Sequence, residues 1–174
     1  MLPELTIRLI LFLPWFTILF MKKEFIKRYT PVATFSALLV TLHGELAYTQ
    51  EWLTQNVKIT DVFITFLPFT FGLFLVGTIW IFAVTFGRFW LFLFVNIVID
   101  IVFAFGIHRF IMVPQGIVEE LKHGSFEVFT AFLVMAIILY LYQMWVEEAL
   151  FKTDHTSKNK SVKDRLKTVL RSDF

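Results

Sequence analysis

The chain has 174 residues, 57% of them hydrophobic and 23 of them Phe, with 16 Lys and Arg against 14 Asp and Glu. A soluble domain of this length could not hide so much apolar surface, because much of its exterior must face water. An integral membrane protein is therefore expected, and the absence of Cys excludes disulfides, thiolate metal sites and thiol catalysis.

The first apolar run extends from Leu5 to Met21 and is followed by the basic cluster Lys22, Lys23, Lys27 and Arg28. A cleavable signal peptide carries its positive charge before the apolar run and small residues at its end. Here the order is reversed, so the run reads as an uncleaved first span with its N-terminus outside. Pro14 is expected to bend this helix, with a neighbouring helix taking up the freed carbonyl.

The second run, Pro31 to Gln50, opens on a proline suited to a first helical turn. Ala33, Ala37, Thr41 and Gly44 fall at helical spacing and allow close approach to a neighbour. His43 and Glu45 lie in its later part, and Glu45 is expected to face protein beside that stripe. Residues 50–58 read as a polar loop. The third run, Thr60 to Phe86, is longer than a bilayer of about 30 Å requires and is expected to tilt or bend at Pro68. Asp61 sits at its start. Gly72, Gly77 and the Ala83/Gly87 pair offer further close contacts, and Gly87-Arg88 is a tight connection to the next run.

The fourth run, Phe89 to Arg109, is long enough to cross a bilayer as a helix. It carries Asn96 and Asp100 in its interior. A carboxylate near the membrane centre costs roughly 2.5–3.5 kcal/mol on insertion scales, so a partner side chain, water or a proton must offset it. Residues 114–124 form a polar loop. The fifth run, Phe126 to Val146, ends in the aromatic belt Tyr140, Tyr142 and Trp145.

Beyond it lies a hydrophilic tail. Ser161 and Asp164 have the spacing of a helix capping box. Val162, Leu166, Val169, Leu170 and Phe174 share one helical face, and Lys163, Lys167 and Arg171 form a basic stripe beside it. That pattern suits a helix lying on anionic lipid headgroups.

Five spans put the basic cluster, Arg88 and the tail on one side. Together these hold 12 of the 16 Lys and Arg. The positive-inside rule then predicts the N-terminus outside and the C-terminus in the cytoplasm. The expected fold class is all-α: a five-helix transmembrane bundle over residues 1–150 with a basic cytoplasmic tail over 151–174. No repeat is evident, and an odd number of spans argues against a simple inverted-repeat transporter.

Asn96, Asp100, Ala104 and His108 recur every four residues and form one slowly drifting stripe on a helix. Asp100 is expected roughly 12 Å below the outer end of its helix and Glu45 roughly 8 Å below that of its own. His43, Glu45, Asp61, Asn96, Asp100 and His108 are therefore the candidate lining of an outward-facing polar pocket for a proton, a cation or a polar headgroup; interhelical hydrogen bonds with one acid protonated are the plainer account. His43 and His108 invite comparison with a bis-His haem site, but a depth offset of roughly 10 Å speaks against it. No metal site is expected: His43 and Glu45 are two apart and point to different helix faces, unlike a His-Glu zinc pair, and three unordered carboxylates are a weak cation signal. No glycine-flanked serine, intramembrane lysine, phosphate-binding loop or dinucleotide fingerprint is present. The Phe residues of the third and fourth runs read as lipid-facing and packing residues rather than a ligand box.

With Leu13-Pro14-Trp15, a basic first loop, acids in later spans and a short basic tail, the chain resembles small uncharacterised multispanning membrane proteins of spore-forming Firmicutes. The resemblance implies a bacterial plasma membrane; that group has no assigned activity to carry over. The leading expectation is a non-catalytic binding or accessory membrane subunit, in contact with the bilayer and with other membrane subunits or copies of itself, and without a nucleic-acid partner. The alternatives are a membrane-embedded enzyme acting on a lipid or isoprenoid through Glu45, Asp61 and Asp100, and a proton- or cation-coupled carrier.

Overall fold

A computed structural model describes residues 2–50, 53–55, 68–120 and 125–152. Asp61 and the tail residues Lys163, Lys167 and Arg171 lie outside the described residues, and the expectations placed on them are left there. The described chain is helical apart from two three-residue strands and short turns at 19–22, 86–88 and 113–117. It divides into two compact units, Met1–Tyr140 and Leu141–Phe174.

Helix α1 spans Leu2–Ile18 with Pro14 inside it. Proline has no N–H, so the carbonyl of Ile10 loses its partner within the helix. The Thr17 hydroxyl donates to Pro14 O at 2.6 Å. A turn over 19–22 leads to α2, Lys23–Thr49. The basic cluster expected as a connection is thus the first part of a helix, and Pro31 lies well inside it rather than at its start. The hydroxyls of Thr30 and Thr34 donate to the carbonyls of Ile26 and Thr30 at 2.6 and 3.0 Å, covering backbone oxygens around the proline. The buried face of α2 includes Tyr29, Ala33, Ser36, Val40, Gly44 and Ala47, at the three- and four-residue spacing of an α-helix.

The described part of the third run starts at Pro68. It is a π-helical segment over Phe69–Phe74 that continues into α3, Leu75–Thr85. Gly87, at φ +90°, makes the tight turn expected there, in a backbone region that residues with a Cβ seldom adopt. Helix α4 then spans Phe89–Ile101 and continues as a longer π-helical segment, Val102–Met112. Helix α5 covers Ser125–Val146.

Within the first unit, α2 packs along α3, and α1 packs on the first π-helical segment. The element ends gather into two groups. At one end, strand β1, Leu53–Gln55, pairs antiparallel with β2, Val118–Glu120, in the register Leu53↔Glu120 and Gln55↔Val118. This joins the two segments read as separate polar loops. Thr6 near the start of α1 donates to Gln115 Oε1 there at 3.1 Å. At the other end, Tyr140 of α5 meets the rings of Phe82, Phe86, Phe89 and Phe92 at centroid distances of 4.9–6.4 Å, and the Arg28 guanidinium lies 5.5 Å from the ring centroids of both Tyr29 and Phe86.

Among the described residues, two helices are long and apolar enough to cross a membrane, Phe89–Met112 and Phe126–Ala149; Leu5–Ile18 and Phe69–Thr85 are apolar but shorter. Large apolar side chains face outward on several helices, including Phe16, Trp90, Phe94, Phe110 and Phe126, and Phe20 does so in the turn after α1.

In the second unit, Gln143 Nε2 donates to Glu147 Oε1 at 2.9 Å, one helical turn on, and the rings of Tyr142 and Trp145 are 5.9 Å apart.

Candidate ligand cavity

The first unit holds a half-open cavity of about 380 Å³ between α2, α3, α4 and α5. Its wall is largely apolar. The polar side chains on it are Ser36 from α2, Thr78 from α3, and Asn96 and Asp100 from α4. The length of α4 sets the last two on one face, because residues four apart lie on the same side of an α-helix.

These polar groups are not equivalent. Thr78 Oγ1 donates to Ser36 Oγ at 3.0 Å, a bond between α3 and α2 that places two hydroxyls on the wall. The Asn96 side-chain nitrogen donates to Phe92 O at 2.8 Å. Since only the amide nitrogen can donate, that bond fixes the flip of the group and leaves its carbonyl oxygen as an acceptor. Asp100 is 7% exposed, and its Oδ2 has no hydrogen-bond partner among the described residues. Among the described residues no Lys or Arg lines the cavity. A buried carboxyl oxygen without a partner is costly.

A second, smaller cavity of about 40 Å³ lies toward the strand pair, lined by His43 and Gly44 of α2, His108 and Met112 of the second π-helical segment, and Val118 of β2. The two imidazoles expected at different depths therefore line one space. The expected offset took His108 to be at the rim of its helix. The π-helical segment instead runs on to Met112, so His108, like His43, lies inward of its helix end. The space has room for a water or two and is far too small for a haem. Glu127 of α5 acts electrostatically on His43. Among the described residues, no group of three His, Asp or Glu converges as metal ligands.

Three phenylalanines line both cavities: Phe74, Phe103 and Phe132. Their rings meet pairwise at centroid distances of 4.9, 5.6 and 5.7 Å. Phe132 also meets the His43 ring edge to face at 6.0 Å. The triad thus forms a shared apolar partition between the Asp100 space and the histidine space.

The six expected pocket residues are accordingly divided. Asn96 and Asp100 share the larger cavity, and His43 and His108 share the smaller one. Glu45 is exposed and lines neither, which corrects the expectation that it faces protein. The buried stripe of α2 runs through Val40, Gly44 and Ala47, and Glu45 is one residue, about 100°, away from it. Ser36, Thr78 and the phenylalanine triad were not anticipated as lining. A usable signal existed for Ser36: it is a small polar residue one position before Ala37, on the stripe that packs α2. The phenylalanines divide in the same way. Phe94 and Phe110 face outward as expected, whereas Phe74 and Phe103 belong to the interior. No family model matches this chain, and no curated protein or solved structure is similar to it.

Proposed function

We propose that this is a multi-pass membrane protein whose five apolar segments form a bundle with its N-terminus outside and its C-terminus in the cytoplasm. Its role is that of a non-catalytic binding subunit for a small, largely apolar ligand. The observation that carries this reading is Asp100, an acid with no cationic neighbour among the described residues, on the wall of a largely apolar cavity of about 380 Å³. That volume lies in the usual range for ligand pockets, about 300–1,000 Å³. A few polar groups in an apolar lining orient a ligand while its body supplies the buried area.

The membrane setting is supported by the two long apolar helices and by outward-facing side chains such as Phe20, which is 86% exposed. Water tolerates few such contiguous apolar patches. The grouping of element ends also supports the five-span arrangement, since the strand pair joins two segments that the charge pattern assigns to one side. An enzyme built on three acids is less well supported: Glu45 is exposed and lines neither cavity.

A second reading, a proton-coupled carrier, is favoured by one feature. The Asp100 and histidine cavities adjoin through the Phe74, Phe103 and Phe132 partition, so Asp100 stands on one side of an apolar barrier and His43 and His108 on the other.

The test is native mass spectrometry of the protein released from lipid nanodiscs. The parent is expected to carry a bound small molecule, and Gly77→Leu, which places a side chain in the cavity, is expected to lose it. Equal occupancy in both proteins overturns the binding reading. In proteoliposomes, dye-reported proton movement that depends on both Asp100 and His108 would favour the carrier.

A further inference from the structure

We infer that the ligand of the Asp100 cavity is a hydrophobic amine, a protonated ammonium group on an apolar body. The inference rests on the binding reading above and names the chemistry of its ligand.

The polar wall carries one acid and no cation. Thr78 donates its hydroxyl proton to Ser36, and Asn96 uses one of its two amide N–H groups on Phe92 O. Asp100 lines the cavity, and its Oδ2 is buried with no partner among the described residues. A ligand head that brings several N–H groups fits such a wall, and an ammonium carries three donors and no acceptor. An alcohol brings one donor and no charge to set against the Asp100 carboxyl.

Charge points the same way. Asp100 is 93% buried by its 7% exposure, and among the described residues no cationic side chain lines the cavity. An ammonium supplies the missing opposite charge, and charge-assisted hydrogen bonds are the stronger kind. The rest of the lining suits a cation on an apolar body. Phe74, Trp80, Phe103 and Phe132 all contribute to the wall, and aromatic faces attract cations within about 6 Å, most strongly where water is excluded.

A bare metal ion does not fit. The volume is many times larger than an ion requires, and hard cations need about six or more oxygen ligands, which this wall does not present. The ligand must fill apolar space and carry its charge at one end. Gly77 adds a size criterion, because a Cβ built there meets nothing within 4 Å, so the space beside it is available to the apolar body.

The experiment uses the full chain in phosphatidylcholine nanodiscs and two probes of matched shape, phenylbutylamine and phenylbutanol, with binding measured by equilibrium dialysis against empty nanodiscs. The amine is expected to bind the parent at least tenfold more tightly than the alcohol. Asp100→Asn is expected to reduce amine binding at least tenfold and to bring the amine-to-alcohol ratio near one, and Gly77→Leu to abolish amine binding. If the alcohol binds as tightly as the amine and Gly77→Leu removes both, the amine inference is overturned while the cavity reading stands. If neither probe binds the parent beyond the empty nanodisc level, or if Gly77→Leu changes nothing, the cavity reading falls and the inference with it. The amine-to-alcohol comparison on the parent needs no variant, so poor folding of Asp100→Asn does not protect the inference.

Discussion

The carbonyl oxygen of Ile10 lies against Gly72, so closely that a Cβ built on Gly72 would overlap it and would also come within 2.8 Å of Leu11 Cα and 2.9 Å of Leu11 O. Ile10 is the residue whose carbonyl Pro14 leaves without a helical partner. Proline in one helix and glycine in the next thus form one contact, with the glycine Cα–H groups facing the freed oxygen, a weak but real interaction. Two indole bonds flank it: Trp15 Nε1 donates to Phe71 O at 3.1 Å, and Trp80 Nε1 donates to Thr17 Oγ1 at 2.9 Å.

Gly72→Ala is therefore expected to push α1 off its seat, because the atoms it meets are backbone and cannot rotate away. The expected loss is about 1–3 kcal/mol, the usual cost of overpacking. A lower thermal midpoint in detergent, with faster proteolysis of residues before Met21, checks it. A midpoint equal to that of the parent would show that α1 is not seated there.

Gly77→Ala is expected to act in the opposite direction. Its added methyl meets nothing within 4 Å, and Ala is favoured over Gly in a helix interior by roughly 1 kcal/mol. The thermal midpoint should rise while the amine still binds. A fall in the midpoint would mean that the cavity is closed in solution.

Asp100→Leu is expected to yield a folded protein at least as stable as the ligand-free parent, because it removes a buried oxygen with no partner. Dicyclohexylcarbodiimide, which reaches carboxyls from apolar surroundings, should add its mass to the parent peptide containing Asp100. Phenylbutylamine should protect that peptide, and Asp100→Asn should carry no adduct there. Labelling that ignores the amine would separate the reactive acid from the ligand cavity.

The strand pair offers a test of topology in a protein with no native Cys. Thr54 faces Glu119 across the pair. Opposed strand residues have Cα atoms about 4.5–5.5 Å apart, within the range that a disulfide spans. Thr54→Cys with Glu119→Cys should cross-link under mild oxidation. Each single Cys should react with a membrane-impermeant maleimide added outside intact cells, and a C-terminal tag should stay shielded. Labelling of the tag from outside would reverse the orientation.

The helical class was legible because apolar runs of span length have few other solutions. The pairing of Asn96 with Asp100 was legible from spacing alone. The partition of the remaining candidates was not, for two reasons. Exposure of Glu45 depends on a register difference of one residue beside Gly44, and the stripe Ala33, Ala37, Thr41, Gly44 admitted a neighbouring solution through Val40. The convergence of His43 and His108 depends on where each helix ends, and helix ends are the least determined feature of a sequence. The extension of the basic cluster into α2 has the same origin: Pro31 looks like a start, yet Thr30 and Thr34 cover the backbone around it and let the helix begin earlier.

The change from α- to π-helix at Val102 affects how the interior is phased. Phe92, Asn96, Asp100, Ala104, His108 and Met112 are spaced by four residues, and all but the half-buried Asn96 are buried. On an uninterrupted α-helix each step of four overshoots a full turn by about 40°. Five such steps would leave Met112 on nearly the opposite side from Phe92. A π-helical turn closes its hydrogen bonds one residue wider, so a step of four falls short of a turn and the rotation runs backward. The second half of the helix thereby unwinds the error accumulated by the first, and a strict four-residue rhythm stays on one face for twenty residues. Removing a single residue from the Val102–Met112 segment would turn His108 and Met112 out of the smaller cavity while leaving Asp100 in the larger one. Val102, Phe103 and Ile107 of the same segment line the larger chamber, so the same deletion would also redraw one of its walls.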